Sequence, residues 1–320
     1  MHPLISMKKV FEDFDAYAAA IESANCRHYV KKWQSPYFAL QHIYLGGILI
    51  QHGWENNVGW TEGMMQEDGI GFFFSIDDPD GQWVNGQKIR KNSVVLIEPG
   101  SEFCISGSNP NHWCSLFFPL HVLEKIGVEL NALLPGPKPT CRLVHLDPIQ
   151  YNDLFLAIER ITLTHDYSPE SLQHPIGVTS ATSYLVKSFP LPRIDNLPDP
   201  SENTRCSLSR GDIIRQSRLW LERQGKDPIN VSDWSHALDV SERSLRYAFQ
   251  DYFGVSPVRF LKLRQLHRVR HDLKRASEDA SSVSQIFTRH GVWEFGRFAQ
   301  YYRQVFGELP SQTLKKDCSL

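Results

Sequence analysis

The sequence predicts an α+β protein in two parts, a strand-rich N-terminal body followed by an all-helical C-terminal third. Between Phe38 and Phe118 the apolar runs are short and rich in aromatic and β-branched residues, as in "IGFFFSI" and "SVVLIEP". Turn chemistries such as "DDPDGQ", "NGQ" and "GSNPN" separate them. That rhythm, roughly six to eight closely spaced strands, fits a small sandwich or barrel. The stretch "FPLPRIDNLPDPSENTRCSLS" (189–209) carries four prolines among polar filler and has no apolar period, which marks a linker. Beyond it the apolar residues recur at helical spacing. The division is therefore residues 1–189, a linker at 190–208, and a helical unit at 209–320.

Length and composition agree with two soluble units. The chain has 320 residues, 41% apolar and 22% charged. Its six cysteines (Cys26, Cys104, Cys114, Cys141, Cys206 and Cys318) are scattered without metal-ligand spacing, as in a reducing compartment. The N-terminus "MHPLISMKKVFEDFDAY" turns charged too early for a signal peptide, and no apolar run is long enough for a membrane span. The expected location is cytoplasmic, with no membrane partner. The net charge of −2 conceals an asymmetry: residues 207–320 hold 19 Lys/Arg against 13 Asp/Glu, and residues 1–206 hold 15 against 23. Only the C-terminal third has the charge to meet a polyanion.

In the N-terminal body, helices are expected at about 147–165 and 177–189. Leu154, Ile158, Ile161 and Leu163 form a stripe on the first, and Val178, Leu185 and Phe189 on the second. Aromatic residues suggest an apolar pocket near Tyr44, Trp54, Trp83, Phe103 and Trp113. A metalloenzyme of barrel type would need clustered His and carboxylate ligands. The eight histidines from His28 to His174 include no H-x-H pair. Cys114 near His112 has no third group to orient it. Neither a metal, a cofactor nor a catalytic residue is expected.

The C-terminal third reads as two similar units. In the first, Asn230 caps a short helix bearing Trp234 and Leu238, and Ser241 caps the next. That second helix turns Leu245 and Phe249 inward and leaves Arg243, Ser244, Arg246, Tyr247 and Gln250 on the other side, a mixture able to hydrogen-bond base edges in a major groove. In the second unit Ser282 and Gln285 form a capping box and Gly291 ends the helix. A final helix follows, with Phe298, Tyr302, Val305 and Phe306 inward and Phe295, Gly296, Arg297 and Gln300 elsewhere. Gly296 costs a helix roughly 1 kcal/mol against Ala. Between the units "SPVRFLKLRQLHRVRHDLKRA" predicts a helix from Pro257 to Arg275, about 27 Å long. That length could separate two recognition helices by nearly one turn of B-DNA, about 34 Å. Arg264, Arg268, Arg270, Lys274, Arg275 and Arg303 are candidates for phosphate contacts.

These residues resemble the AraC/XylS family of bacterial transcription regulators. The resemblance runs from about Ile213 to Leu314 and rests on Leu245, Phe249, Gly254, Ser256, Pro257, Phe260, Ile286, Gly291, Phe298, Tyr302, Gly307, Pro310 and Ser311 at the family's spacing. It implies an N-terminal cupin-like β-barrel with dimerisation helices and two tandem helix-turn-helix units. It also implies promoter DNA, a second copy of the chain, a small-molecule effector and RNA polymerase as partners. Base contacts carried over by position fall on Arg243, Ser244, Arg246 and Tyr247, then on Phe295, Gly296, Arg297 and Gln300. The chain departs from the family at Phe287, where a small residue is usual, and at Val292, where an aromatic residue or Leu is usual. Trp293, Phe295 and Gly296 also replace the usual polar residues. The segment "WEFGRFAQYYRQVFGELPS" is similar to the ethanolamine-utilisation regulator branch. The expected function is a sequence-specific, dimeric, effector-controlled DNA-binding regulator. The alternatives are the same regulator controlled by dimerisation or a protein partner without a ligand and, more remotely, a cupin-like metalloenzyme.

Overall fold

A computed structural model describes residues 8–316 except 34–36, 57, 78, 108–110, 129–133, 135–139, 190–208, 225–228 and 277–280. The expected linker therefore lies outside the described residues. In the N-terminal half the order is β1 (Lys9–Phe11), α1 (Phe14–Ala19), β2 (Ala24–Val30), β3 (Phe38–Leu45), β4 (Ile48–Glu55), β5 (Gly59–Met65) and β6 (Gly69–Ser75). There follow β7 (Gln82–Val84), β8 (Gln87–Lys88), β9 (Ser93–Ile97), β10 (Glu102–Gly107), β11 (Asn111–Pro119), α2 (Leu120–Lys125) and β12 (Cys141–His145). Two long helices, α3 (Pro148–Tyr167) and α4 (Pro175–Ser188), complete it.

Among the described residues the strands form two antiparallel sheets. One sheet has the order β1-β3-β4-β11-β6-β9-β12 and the other β2-β5-β10-β7-β8. Strand alternation explains the layering. On β6, Ile70, Phe72 and Phe74 join a buried cluster with Leu154, Ile158 and Ile161 of α3 and Leu185 of α4. Phe73, one register position away, belongs to the cluster between the sheets with Trp60, Phe103 and Trp113. With both faces covered, every residue of β6 is buried. The helical stripe expected on residues 147–165 needs one correction: Leu163 is 48% exposed, because the helix turns it away from the sheet.

The helical half comprises α5 (Arg210–Arg223), α6 (Val231–Ala237), α7 (Glu242–Phe253), α8 (Pro257–Arg275), α9 (Val283–Arg289), α10 (Phe295–Phe306) and α11 (Pro310–Lys316). Local chemistry sets the ends. Asn230 and Ser241 accept hydrogen bonds from the first-turn amides of α6 and α7. Ser282 and Gln285 make the reciprocal capping box of α9, and Gly291 follows at φ 66°. The spacer helix α8 spans the expected residues, capped by Ser256 with Pro257 in its first turn.

The two halves share a core. Trp60 on β5, 1% exposed, stacks on Tyr29 at 4.8 Å and meets Phe253 of α7 and Phe260 of α8 at 5.4 and 5.7 Å. Arg218 of α5 reaches Glu102 of β10 at 3.0 Å. Removing the central ring should therefore weaken both halves. Trp60→Ala is expected to lose about 3–5 kcal/mol in chemical denaturation, and circular dichroism should show one unfolding transition separating into two.

Candidate nucleic-acid interface and interior cavity

The two helices with the expected base-reading residues, α7 and α10, are held by their C-terminal ends. At the end of α7, the Tyr252 carbonyl accepts from Cys104 Sγ of β10 at 3.8 Å, and Phe253 packs on Trp60. At the end of α10, the Gln304 carbonyl accepts from the Trp33 amide at 3.0 Å, and Phe306 stacks on Phe14 of α1 at 5.9 Å. Their N-terminal halves face solvent. Arg243, Arg246 and Tyr247 are exposed and Ser244 is half-buried, with Arg243 donating to the Tyr247 hydroxyl at 3.2 Å. On α10, Phe295, Gly296, Arg297 and Gln300 are exposed, beside Trp293 at 78%. A Cβ at Gly296 would meet nothing within 4 Å, so no contact within the chain requires glycine there. No side chain caps the N-terminus of α10, and Arg297 pairs with Glu294 at 3.2 Å.

The basic residues of α8 divide by face. Arg268, like Arg303 of α10, is exposed. Arg264 is half-buried and its charge acts on Tyr29 and Glu62 of the sheets. Arg270 and Lys274, expected among the phosphate contacts, are committed elsewhere. Arg270 is 7% exposed; it donates to Asp13 at 2.6 Å and to Asp15, and lies 4.4 Å over the Phe14 ring. Lys274 joins it, 2.7 Å from Asp13 and 2.9 Å from Asp15. Burial works against the Asp13 carboxylate, but Arg270 and Lys274 outweigh it and hold the group well below the usual carboxylate range. Asp13 also caps α1 by accepting from the Asp15 amide at 2.7 Å.

Between the sheets lies a cavity of about 60 Å³, walled by Tyr17 of α1 and by Glu55, Met65, Phe73, Phe103 and Trp113. Of the five aromatic residues expected to form a pocket, Phe103 and Trp113 line it. Tyr44, Trp54 and Trp83 do not. Tyr44 is 61% exposed and donates to Glu22 at 2.6 Å, and Trp54 stacks on His112 at 4.5 Å. Trp54 and Trp83 each precede or follow a residue that does reach the interior, Glu55 and Gln82, so a one-residue step placed them on the other face. The rings that do enter lie over cross-strand glycines. A Cβ at Gly53 would fall 2.1 Å from the Trp113 ring, and one at Gly63 would fall 2.3 Å from the Phe103 ring. Trp113 Nε1 donates to the Tyr17 hydroxyl at 3.0 Å. The sequence reading missed Tyr17 and Glu55. Its available signal was strand alternation on β4, which puts Leu49, Gln51, Gly53 and Glu55 on one face.

A helix-turn-helix domain family matches residues 234–316, a span from α6 to α11 that includes both exposed helix tips. A probable thc operon regulatory protein of Rhodococcus erythropolis is 37% identical over 193 residues, 60% of this chain and 57% of its own length. A XylDLEGF operon transcriptional activator of Pseudomonas putida is 33% identical over 97 residues, 30% of each chain. Among solved structures, a probable AraC family transcriptional regulator from Rhodopseudomonas palustris is 30% identical, covering 33% of this chain and 96% of its own, with a TM-score of 0.30.

The chain belongs to the AraC/XylS family.

This AraC/XylS-family chain spans about half of the Rhodococcus relative and under a third of the Pseudomonas one. Among its described residues, no helix is long and apolar enough to cross a membrane, and no three His, Cys, Asp or Glu side chains converge as a metal site requires.

At the junction of its halves the family member carries a half-buried imidazole. His267 of α8 donates to the Val30 carbonyl at 3.2 Å and packs edge-on against Phe14, Tyr29 and Phe306. Burial pushes it from 6.5 down to about 4. A group that must stay uncharged when folded contributes fully above its unfolded value and loses that contribution as the pH falls towards its folded value. Stability should therefore decline between pH 6.5 and about 4. His267→Gln should flatten part of that slope in denaturant titrations run across the same range; an unchanged slope would show that His267 is not a source of it.

Proposed function

We propose that the protein is a sequence-specific DNA-binding transcriptional regulator, dimeric, and controlled by a small molecule in the cavity between its sheets. The observation that carries the reading is the asymmetry of α7 and α10. Both are anchored at their C-terminal ends, and both present their N-terminal halves to solvent within a helix-turn-helix family match. The pairs α6–α7 and α9–α10 act as two tandem units, with α8 as the rigid spacer between them. Arg243, Ser244, Arg246 and Tyr247 read bases from α7. On α10, Arg297 and Gln300 sit beside the bare backbone at Gly296 and the exposed rings of Trp293 and Phe295. That chemistry suits docking against the sugar-phosphate backbone and groove wall more than hydrogen-bonding to base edges. Arg268 and Arg303 supply phosphate contacts in the present arrangement; Arg264 would have to leave the sheets to do so.

Control runs through α1. Tyr17 on this helix lines the cavity, and Asp13 and Phe14 hold Arg270 of α8 and Phe306 of α10. A ligand that moves Tyr17 therefore acts on the anchorage of both recognition helices. Dimerisation is supported by the outer surface of α3 and α4, where Ile149, Tyr167 and Ile176 are more than 70% exposed. The Pseudomonas relative is called an activator, which favours activation, with RNA polymerase as a further partner.

The test begins with genome-wide mapping of bound DNA to supply a target fragment. On that fragment Arg243→Ala and Arg246→Ala should each weaken binding by roughly 1–3 kcal/mol and relax base preference. Raising the salt should weaken the wild type steeply. Full binding by both variants would remove α7 from the role of sequence reader.

A further inference from the structure

The cavity has two unlike ends, and their chemistry narrows what can bind. The larger end is apolar, walled by the rings of Phe73, Phe103 and Trp113 and by Met65. Glu55, Thr61 and Ile105 also line an adjoining polar recess of about 10 Å³, together with His28, Gln82, Ser106 and Asn111. Among the described residues, three buried atoms of this recess have no hydrogen-bond partner: His28 Nε2, Gln82 Oε1 and Ser106 Oγ. Their residues are 5%, 2% and 2% exposed. Native structures rarely leave such groups unmatched, and here three converge on one small space.

Their directionality is legible from the neighbours. Gln82 Nε2 already donates to Asn111 Oδ1 at 2.8 Å and to Ser75 Oγ at 3.1 Å, so the atom left over is an acceptor. His28 Nδ1 lies 2.9 Å from Thr61 Oγ1 and 3.8 Å from Glu55 Oε2. In the tautomer with the proton on Nδ1, donating to Thr61 Oγ1, Nε2 is an acceptor. Burial keeps this imidazole uncharged, pushed down to about 3. Glu55, which already accepts from the Asn111 side chain, adds carboxyl oxygens to this space; its side chain is 16% exposed and burial pushes the carboxyl up to about 7. Neither end of the cavity is lined by a Lys or Arg.

We propose that the cavity takes a small primary amine. Its ammonium donates to Glu55 and the neighbouring acceptors of the recess, and its short apolar tail lies among Phe73, Phe103 and Trp113. An ammonium has three donors and no acceptor, matching a site that offers acceptors and a carboxylate. A bound cation also favours the ionised form of the Glu55 carboxyl, which burial otherwise pushes up to about 7, and the aromatic walls favour positive charge over their faces. A carboxylate effector would meet Glu55 with no cation to hold it. The space limits the tail to a branched alkyl group or a single ring.

The inference rests on the cavity being the effector site, and the experiment separates the two. Full-length protein is titrated calorimetrically with isobutylamine and benzylamine, with isobutanol and benzyl alcohol, and with isobutyrate and benzoate. The expected result is saturable binding of an amine at least tenfold tighter than its alcohol, with no binding of the acids. Glu55→Gln, which keeps the side-chain shape, should abolish that tenfold advantage and leave the alcohol's affinity unchanged. Alcohols or acids binding as tightly as the amines overturns the amine assignment while leaving a ligand cavity; this comparison needs no variant. Amine affinity unaffected by Glu55→Gln overturns the assignment as well. Absence of binding by all six compounds overturns both the assignment and the cavity as effector site.

Discussion

The structure depends on one buried cation. Arg270 sits between the Phe14 and Phe306 rings, 4.4 and 5.3 Å away, with Asp13 and Asp15 on its guanidinium and Glu308 at 3.8 Å. A guanidinium taken out of water must be paired, and removing one partner of such a pair is far costlier than leaving it exposed from the start. Asp13 and Asp15 come from the cap and first turn of α1, more than 250 residues earlier in the chain. The two halves are therefore joined by a specific polar contact set inside an apolar one. The apolar part is continuous: the buried cluster between the sheets runs into Leu263, Leu266 and Val269 of α8.

This junction gives α1 an influence out of proportion to its six residues. Asp13 caps the helix and holds Arg270. Phe14 meets α10 through Phe306, and Tyr17 closes the cavity against Trp113. One short helix thus touches the cavity, α8 and α10. The anchorage also explains why the free ends of α7 and α10 are their N-terminal ends. Their C-terminal turns carry the large buried residues Phe253, which meets Trp60 of β5, and Phe306, which meets Phe14 of α1.

The interior shows how a β-rich core keeps open space. Aromatic side chains would fill the gap between two sheets, but Trp113 and Phe103 lie flat over Gly53 and Gly63, where a Cβ would collide with them. Flattened against the strands, the rings form walls and leave the centre unfilled. Close packing elsewhere makes such a space uncommon, and the acceptor atoms at its polar end give it chemical direction.

Much of this was legible from local chemistry. The caps at Asn230, Ser241 and Ser282, the spacer helix from Pro257 to Arg275 and the inward stripes of α7 and α10 all depend on residues a few positions apart. Such signals survive in a single sequence because the interactions that create them are local. The division into strand-rich and helical halves was legible for the same reason. The cavity and the junction were not. Whether an aromatic residue such as Trp54 or Trp113 faces the interior turns on a one-residue register, and register is set by pairing with distant strands. Likewise, Arg270 reads as a phosphate-binding residue on a basic helix until Asp13 and Asp15 are brought against it. Only the tertiary structure decided which charges were already spoken for, because a buried ion pair is chosen by proximity across the fold and leaves no periodic mark in the chain.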